Sequence, residues 1–487
     1  MRFLEIKGKE NKMKKTITTL IKNTTATMLC VISLFGCSSM RSDYQQPELA
    51  TPANWSEGLL TKEDTQEEVL SINTIEQSDK WWTLFEDTQL NNLVEQVLQS
   101  NSDLAKATLT LRKARLEAGI SENDKVPTVS FSHSSAYEYD IDDHSSDTDF
   151  GSNLSLSYEL DLWGRVDALS DVDAWAAKAS YEDREYIAQS LVVTTATLYW
   201  KVAYLNQMLG LTEQNIIGTE RVAKLTEYKF NIGASTRLEV LESSKSLFNQ
   251  QVQLNQLQQA LLETQNAISM LLNQPLQDTG VTIDKLSADP LPGIEAGIPA
   301  DLLLRRPDVQ AALYKLKSSL ASKDAVDASY MPTITLTSSL STSSSDLVEL
   351  LQNPIAKLGS GLVLPFLEWN KMKLNQSISE IDYQLEVVNY RDTIYGAFEE
   401  VDNLLTAKEH YFYQGHLYED QYKNALEIER IYASKYENGA SDMIDWINAM
   451  ESRRSSESSV LENRFNQFVT QVSIYQSLGG GDIVPEI

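Results

Sequence analysis

The sequence predicts an α+β protein that is mainly α, built from two copies of one unit, each carrying very long helices and two strands. Three observations predict this. Gly (20) and Pro (12) are scarce in 487 residues, whereas a sandwich or barrel of many tight turns would use more of both. The segment 166–228 holds no Pro, and neither does 371–436. Landmarks in the first half also recur in the same order in the second.

The recurrence is specific. Ser102-Asp103-Leu104-Ala105-Lys106-Ala107 aligns with Pro307-Asp308-Val309-Gln310-Ala311-Ala312, and Val126-Pro127-Thr128-Val129 aligns with Met331-Pro332-Thr333-Ile334, both at an offset of 205. At an offset of 206, Trp163-Gly164-Arg165 meets Trp369-Asn370-Lys371, and Ile232-Gly233-Ala234-Ser235 meets Asn438-Gly439-Ala440-Ser441. A long period used twice is a duplicated supersecondary unit, not a solenoid.

Each copy opens with a helix, expected at 88–124 and 306–329. Pro307-Asp308 sets Pro in the first turn and an acid at the positive helix end. Alternating strands follow, expected at 126–140, 150–163, 330–342 and 358–368. Val129, Phe131, Tyr137 and Tyr139 share one parity, opposite Thr128, Ser130 and Ser132. Leu154, Leu156, Tyr158 and Leu160 alternate with Ser155, Ser157 and Glu159. One apolar and one Ser/Thr-rich face suits a barrel with lipid outside and water inside, or a half-buried sheet in a soluble domain. The acidic link 140–149 reads as an exposed loop, with 338–345 as its counterpart. Long helices at 166–228 and 371–436 come next, the first about 95 Å at 1.5 Å per residue. They require a coiled-coil assembly. Both end at a Gly-Ala-Ser turn, Gly233 and Gly439, and return as helices over 237–272 and 442–476.

Composition excludes several classes of function. Two Cys rule out a disulfide scaffold. The four His (133, 144, 410 and 416) include no i, i+4 pair, which speaks against a metal centre. A net charge of −28 repels nucleic acid. There is no Gly-rich phosphate loop and no nucleophile motif, so an enzyme is not expected, nor any cofactor.

Residues 1–36 read as a signal peptide: a basic stretch, with Met13 a plausible true start, then the apolar run 26–36. Leu34-Phe35-Gly36-Cys37 is similar to a bacterial lipoprotein processing site, which makes Cys37 the acylated (palmitate-bearing) N-terminus of the mature chain. Ser38 in place of Asp points to the outer membrane. Removing the leader, with its seven Lys/Arg and two Asp/Glu, takes the net charge to −33. No later apolar run reaches eighteen residues, so any membrane crossing would use strands in a closed barrel.

Tyr158-Glu159-Leu160-Asp161-Leu162-Trp163-Gly164-Arg165, the paired Gly-Ala-Ser turns, and Ile298-Pro299-Ala300-Asp301-Leu302-Leu303-Leu304-Arg305-Arg306-Pro307-Asp308-Val309 resemble the outer-membrane efflux proteins of the TolC superfamily. The closer resemblance is to the NodT/OprM-type lipoproteins that serve resistance–nodulation–division pumps. The resemblance implies a homotrimer, with four strands per subunit in a twelve-stranded transmembrane β-barrel and the helices in a long α-helical barrel. It further implies a passive exit duct for drugs or other small toxic compounds, working with a periplasmic adaptor (membrane fusion) protein and an inner-membrane pump. The domains would be a lipid anchor and equatorial segment at 37–86, repeats at 87–273 and 306–476, an equatorial linker at 274–305 and a tail at 477–487. Four strands cannot close a barrel alone, and an open edge is forbidden in lipid. The exit duct of a type I protein-secretion system shares the fold. A lipid-anchored coiled-coil scaffold without a pore is the alternative from another class.

The candidate site is the pair of hairpin tips, at the periplasmic mouth. Arg237, Glu239 and Glu242 follow Gly233; Asp442 and Asp445 follow Gly439. The resemblance matches Asp445 to an entrance aspartate and Tyr436 to an entrance tyrosine, and sets Asn448 where another Asp is often found. A ring of carboxylates would select cations. The same acids at a helix start also serve as caps. Trp163 and Trp369 fit either interfacial anchoring or packing.

Overall fold

The computed structural model describes residues 40–52, 55, 80–276, 281, 283–294, 305–352 and 354–480. Cys37, the signal peptide and most of the 298–309 motif lie outside the described residues. The chain divides into two compact units. One comprises Met1–Gln46, Ala114–Ala177 and Lys315–Val387; the other comprises Pro47–Lys113, Lys178–Tyr314 and Val388–Ile487.

In chain order the elements are α1 (Thr88–Ser100), α2 (Ser102–Asn123), β1 (Thr128–Asp140), β2 (Ser145–Leu160), α3 (Arg165–Asn231), α4 (Arg237–Leu271), α5 (Pro307–Ser329), β3 (Thr333–Ser344), β4 (Ile355–Val363), α6 (Trp369–Glu437) and α7 (Met443–Ser477). The expected single helix over 88–124 is two. Asn101 leaves helical geometry, and its Oδ1 accepts the N–H groups of Asp103 at 2.8 Å and Leu104 at 3.2 Å. It thereby caps α2, the position Asn favours over a helix interior. Among the described residues no helix is long and apolar enough to cross a membrane.

The first unit holds an antiparallel sheet in the order β1-β2-β3-β4. Its central pairing, β2 with β3, joins the two copies. The strand edges depart from the sequence expectation. The acidic link shrinks to 141–144, because the Asp140 carboxylate accepts the amides of Asp142 and Asp143 and closes a short turn. Residues 145–149 then pair as strand. Ser338 to Ser344 is not a loop either: it lies inside β3, and the link is 345–354. Hydroxyl side chains suit the polar face of a sheet, and a Ser/Thr run by itself cannot tell such a face from a loop. β4 stops before Leu364, since Pro365 has no N–H for the ladder and opens a 3₁₀ turn. β2 stops at Leu160; Trp163 lies beyond it, and its Nε1 donates to Pro332 O at 2.9 Å. Trp369 starts α6 and is exposed. Val129, Phe131, Tyr137, Leu154, Leu340, Leu358 and Leu362 share one face of the sheet and are exposed.

Below the sheet, still within the first unit, α3 packs on α5: Ser318 Oγ donates to Val172 O at 3.0 Å, and Lys317 Nζ lies 4.8 Å from the Trp175 ring centre. The segment 40–46 straps both helices. Arg41 pairs with Asp167 and Asp171 of α3, and Ser42 donates from N and Oγ to Asp324 of α5 at 2.8 and 2.7 Å.

The second unit has its own apolar core of Trp81, Trp82, Leu90, Val94, Val192, Tyr199, Trp200, Ile268, Phe468, Val472 and Tyr475. Trp81 stacks on Tyr475 at 5.1 Å. Beside this core Arg306 is buried. It reaches Asp308 at 2.8 Å, Glu400 at 2.7 Å and Ser477 O at 3.1 Å, tying the start of α5 to α6 and the end of α7. A guanidinium has enough donors to satisfy all three at once.

Candidate functional site: the hairpin tips

Both tips are Schellman turns. In the first, Gly233 has φ 78°, and the N–H of Ala234 bonds Lys229 O at 2.7 Å. In the second, Gly439 has φ 72°, and the N–H of Ala440 bonds Lys435 O at 2.8 Å. An added Cβ would meet no atom within 4 Å at either glycine, so the left-handed backbone alone requires Gly there.

The returning helices start differently. Thr236 caps α4 in a full capping box. Its Oγ1 accepts the Glu239 N–H at 3.3 Å, and Glu239 Oε2 accepts the Thr236 N–H at 2.7 Å. The same carboxylate takes Ser235 Oγ at 2.7 Å, and the backbone N–H of Met443, the first residue of α7, is close enough to favour its charged form. One side chain of the first hairpin thus sits on the N-terminus of the second hairpin's return helix. Partial burial pushes the Glu239 carboxyl up, but the donors from Ser235, Thr236 and Met443 outweigh it and hold the group below its ordinary value. In α7 the N-cap position is Asp442, yet its side chain makes no capping bond. Asp445 accepts from Ser441 Oγ at 2.8 Å, the counterpart of the Ser235–Glu239 contact. Asp442, Asp445 and Arg237 are exposed, and Glu242 lies 3.5 Å from Lys245.

Tyr436 is buried, in a cluster with Val222, Met443, Ile447, Met450 and Trp446. Lys229 Nζ lies 3.8 Å from its ring centre, close enough for a cation–π contact. Among the described residues the Tyr436 hydroxyl has no hydrogen-bond partner. In one chain, therefore, Tyr436 and the two aspartates do not converge: the tyrosine fills the tip's core and the acids face outward.

Two residues that the sequence reading passed over join the hairpins further along. Arg453 of α7 donates to Glu429 Oε2 of α6 at 2.7 Å, to Glu457, and to Asn215 Oδ1 of α3 at 2.8 Å. Arg454 donates to Thr219 of α3 and to Glu451 Oε1 at 3.0 Å, and Glu451 accepts from Ser246 Oγ of α4 at 2.9 Å. Burial alone would lower both guanidinium pKa values; the hydrogen bond and charge of Glu429 and the charge of Glu457 reverse this for Arg453, whereas Arg454 stays lowered. The signal was present in the sequence: an Arg pair in an acidic chain, with Glu three before and four after along one helix. Among the described residues no group of three or more His, Cys, Asp or Glu could hold a metal ion.

Solved structures share this fold, and known sequences resemble the chain over nearly its whole length. The outer membrane channel CmeC of Campylobacter jejuni matches with a TM-score of 0.81 at 22% identity, over 92% of this chain and 96% of that one. The toxin and drug export protein A of Aggregatibacter actinomycetemcomitans is 28% identical over 466 residues, covering 94% of this chain and 98% of the relative. The cation efflux system protein CusC of Escherichia coli O157:H7 is 28% identical over 468 residues, covering 93% and 97%. The outer membrane efflux protein family model matches residues 93–274 and 298–480. The chain belongs to the outer membrane efflux protein family.

Proposed function

We propose that this chain forms the outer-membrane exit duct of a tripartite efflux pump, as a homotrimer, passing small toxic compounds from the periplasm to the exterior without chemistry of its own. The observation that carries the reading is the sheet. β1 and β4 each have one unpaired edge, and one apolar face stands open. An edge exposed in lipid would leave every other backbone group unsatisfied, so the strands must be completed by further copies. Three copies supply twelve strands, enough to enclose a water-filled lumen. The tips are then the periplasmic mouth, repeated three times, where Asp442 and Asp445 would ring the opening. A periplasmic adaptor and an inner-membrane pump of the resistance–nodulation–division type would supply the energy, and acylation at Cys37 would add a lipid anchor. Drugs and cations enter as candidate cargo through the relatives' names, and the relative named for toxin and drug export supports a protein-secretion duct as the second reading.

The test is conductance in planar bilayers together with drug and metal-ion susceptibility of a strain lacking its own channel, with and without this chain. Conductance and restored resistance are expected. Absence of conductance from a correctly inserted protein overturns the duct; conductance with restored export of a protein toxin, and no change in drug or metal resistance, selects the second reading.

A further inference from the structure

The duplication supplies an internal template for the contact between copies. Strand landmarks repeat at 205 for β1 and β3, and at 206 for β2 and β4. These offsets carry the pair Thr128↔Ser157 of the first hairpin onto Thr333 and Val363, which are paired in the second. The two hairpins therefore share one register. The pairing between copies within the chain, β2 with β3, has no counterpart for β4 and β1, whose outer edges are open. Shifting its pairs by the same offsets turns Gly151↔Ser343 into Lys357 opposite Glu138, Ser152↔Thr342 into Leu358 opposite Tyr137, and Leu154↔Leu340 into Ser360 opposite Ser135.

Two independent features of the strands agree with this register. It keeps the faces in phase: Leu358 meets Tyr137 on the apolar side. A slip of one residue would turn Leu358 to the polar side. It also sets the basic residue of β4 directly against an acid of β1. Within its own hairpin Glu138 faces Asp147, a like charge directly opposite, which is unfavourable. Lys357 of a neighbouring strand would relieve that repulsion.

The helices of the same unit follow suit. Ala321 and Ala325 of α5 are 4% exposed. Their counterparts in α2, Leu116 and Ile120, are 63% and 64% exposed. Val172 and Trp175 of α3 touch α5; their counterparts in α6, Ile378 and Ile381, are 55% and 56% exposed. The segment 40–46 straps the contact inside the chain, where the α5 side chains are alanines. Among the described residues no second strap stands where the neighbour would dock, and large aliphatics occupy the matching positions.

We propose that β1 of one copy pairs with β4 of the next in the register that sets Glu138 opposite Lys357, with Ile378 and Ile381 covering Leu116 and Ile120 of the neighbour. The contact is head-to-tail, the type that closes a ring. It rests on the trimer reading above and adds to it the residues that meet.

Cysteine cross-linking of the full-length protein in outer membranes tests the register. Directly opposed Cβ atoms lie within disulfide reach, and diagonal ones do not. Ser135→Cys/Ser360→Cys should give covalent species of two and three copies on mild oxidation, and neither single variant should. The slipped pairs Ser135→Cys/Leu358→Cys and Ser135→Cys/Leu362→Cys should react at least about fivefold more slowly, given that geometry. Independently, Lys357→Glu should lower the temperature at which the oligomer dissociates in detergent, and adding Glu138→Lys should restore it. Faster bridging by a slipped pair, with the trimer intact by native mass, overturns the register and leaves the trimer. A wild-type protein that is monomeric in detergent and in membranes overturns the trimer and this interface together.

Discussion

Replacing Glu239 by Ala removes the residue that links the two hairpin tips. Three interactions go at once: the reciprocal half of the capping box to Thr236, the hydroxyl contact from Ser235, and a negative charge beside the Met443 amide at the start of α7. Loss of a cap costs about 1 kcal/mol. Removing the carboxylate charge from the start of α7 adds up to about 1 kcal/mol, the worth of an acid at a helix N-terminus. A local destabilisation of about 2 kcal/mol corresponds to about a 30-fold rise in the open population. Hydrogen exchange of the amides in 236–240 and of Met443 should therefore quicken by one to two orders of magnitude, with little change in the core around Trp200. Glu242→Ala, which loses only a surface pair with Lys245, should change exchange by less than about threefold. The pH dependence follows from the same contacts. The folded-state pKa of Glu239 is depressed, so its stabilisation is present above the ordinary carboxylate value of about 4.3 and is lost as pH falls through the lower folded value. Tip exchange should rise on acidification below about pH 4 in the parent and not in Glu239→Ala. Unchanged exchange at Met443 in Glu239→Ala would refute the link between the hairpins.

Asp445→Ala should alter single-channel conductance and lower cation preference, read from reversal potentials in a salt gradient, without changing assembly; Asp442→Ala, whose side chain makes no capping bond, should do less. If Asp445→Ala leaves selectivity intact and lowers thermal stability, Asp445 is a helix-start residue only. Arg453→Met strips Glu429, Glu457 and Asn215 of a shared donor and should cost about 2–3 kcal/mol, seen as a lower melting temperature and a raised conductance as the hairpins part; unchanged conductance would separate Arg453 from the opening. Arg306→Leu leaves Asp308 and Glu400 without their cation and should cost about 3 kcal/mol, with unaltered selectivity in whatever trimer forms. Cys37→Ser should abolish labelling by radioactive palmitate while the strands still insert; a labelled variant would place the acyl group elsewhere.

The periodicities in the sequence determine a good deal of this protein by themselves. Helical runs without Pro, period-two strands and paired turn glycines are local properties, each set by a few neighbouring residues, and they place α3, α4, α6 and α7 within a few residues of their observed ends. The duplication is legible because four landmarks keep their order, with offsets of 205 and 206. What the local pattern cannot carry is the partner of each group. Asn101 looks like an ordinary helix residue until its side chain is seen capping α2, and the serines of 338–344 look like a loop until β2 and β4 are seen on either side. Tyr436 and Asp445 lie nine residues apart and read as one site, but the turn at Gly439 sends the ring into an apolar cluster and leaves the carboxylate outside. Arg453 and Asn215 are 238 residues apart, and Glu239 and Met443 are 204 apart. Contacts of that range depend on how two hairpins lie side by side. That is settled by packing a whole helix face, which no single stretch of sequence encodes.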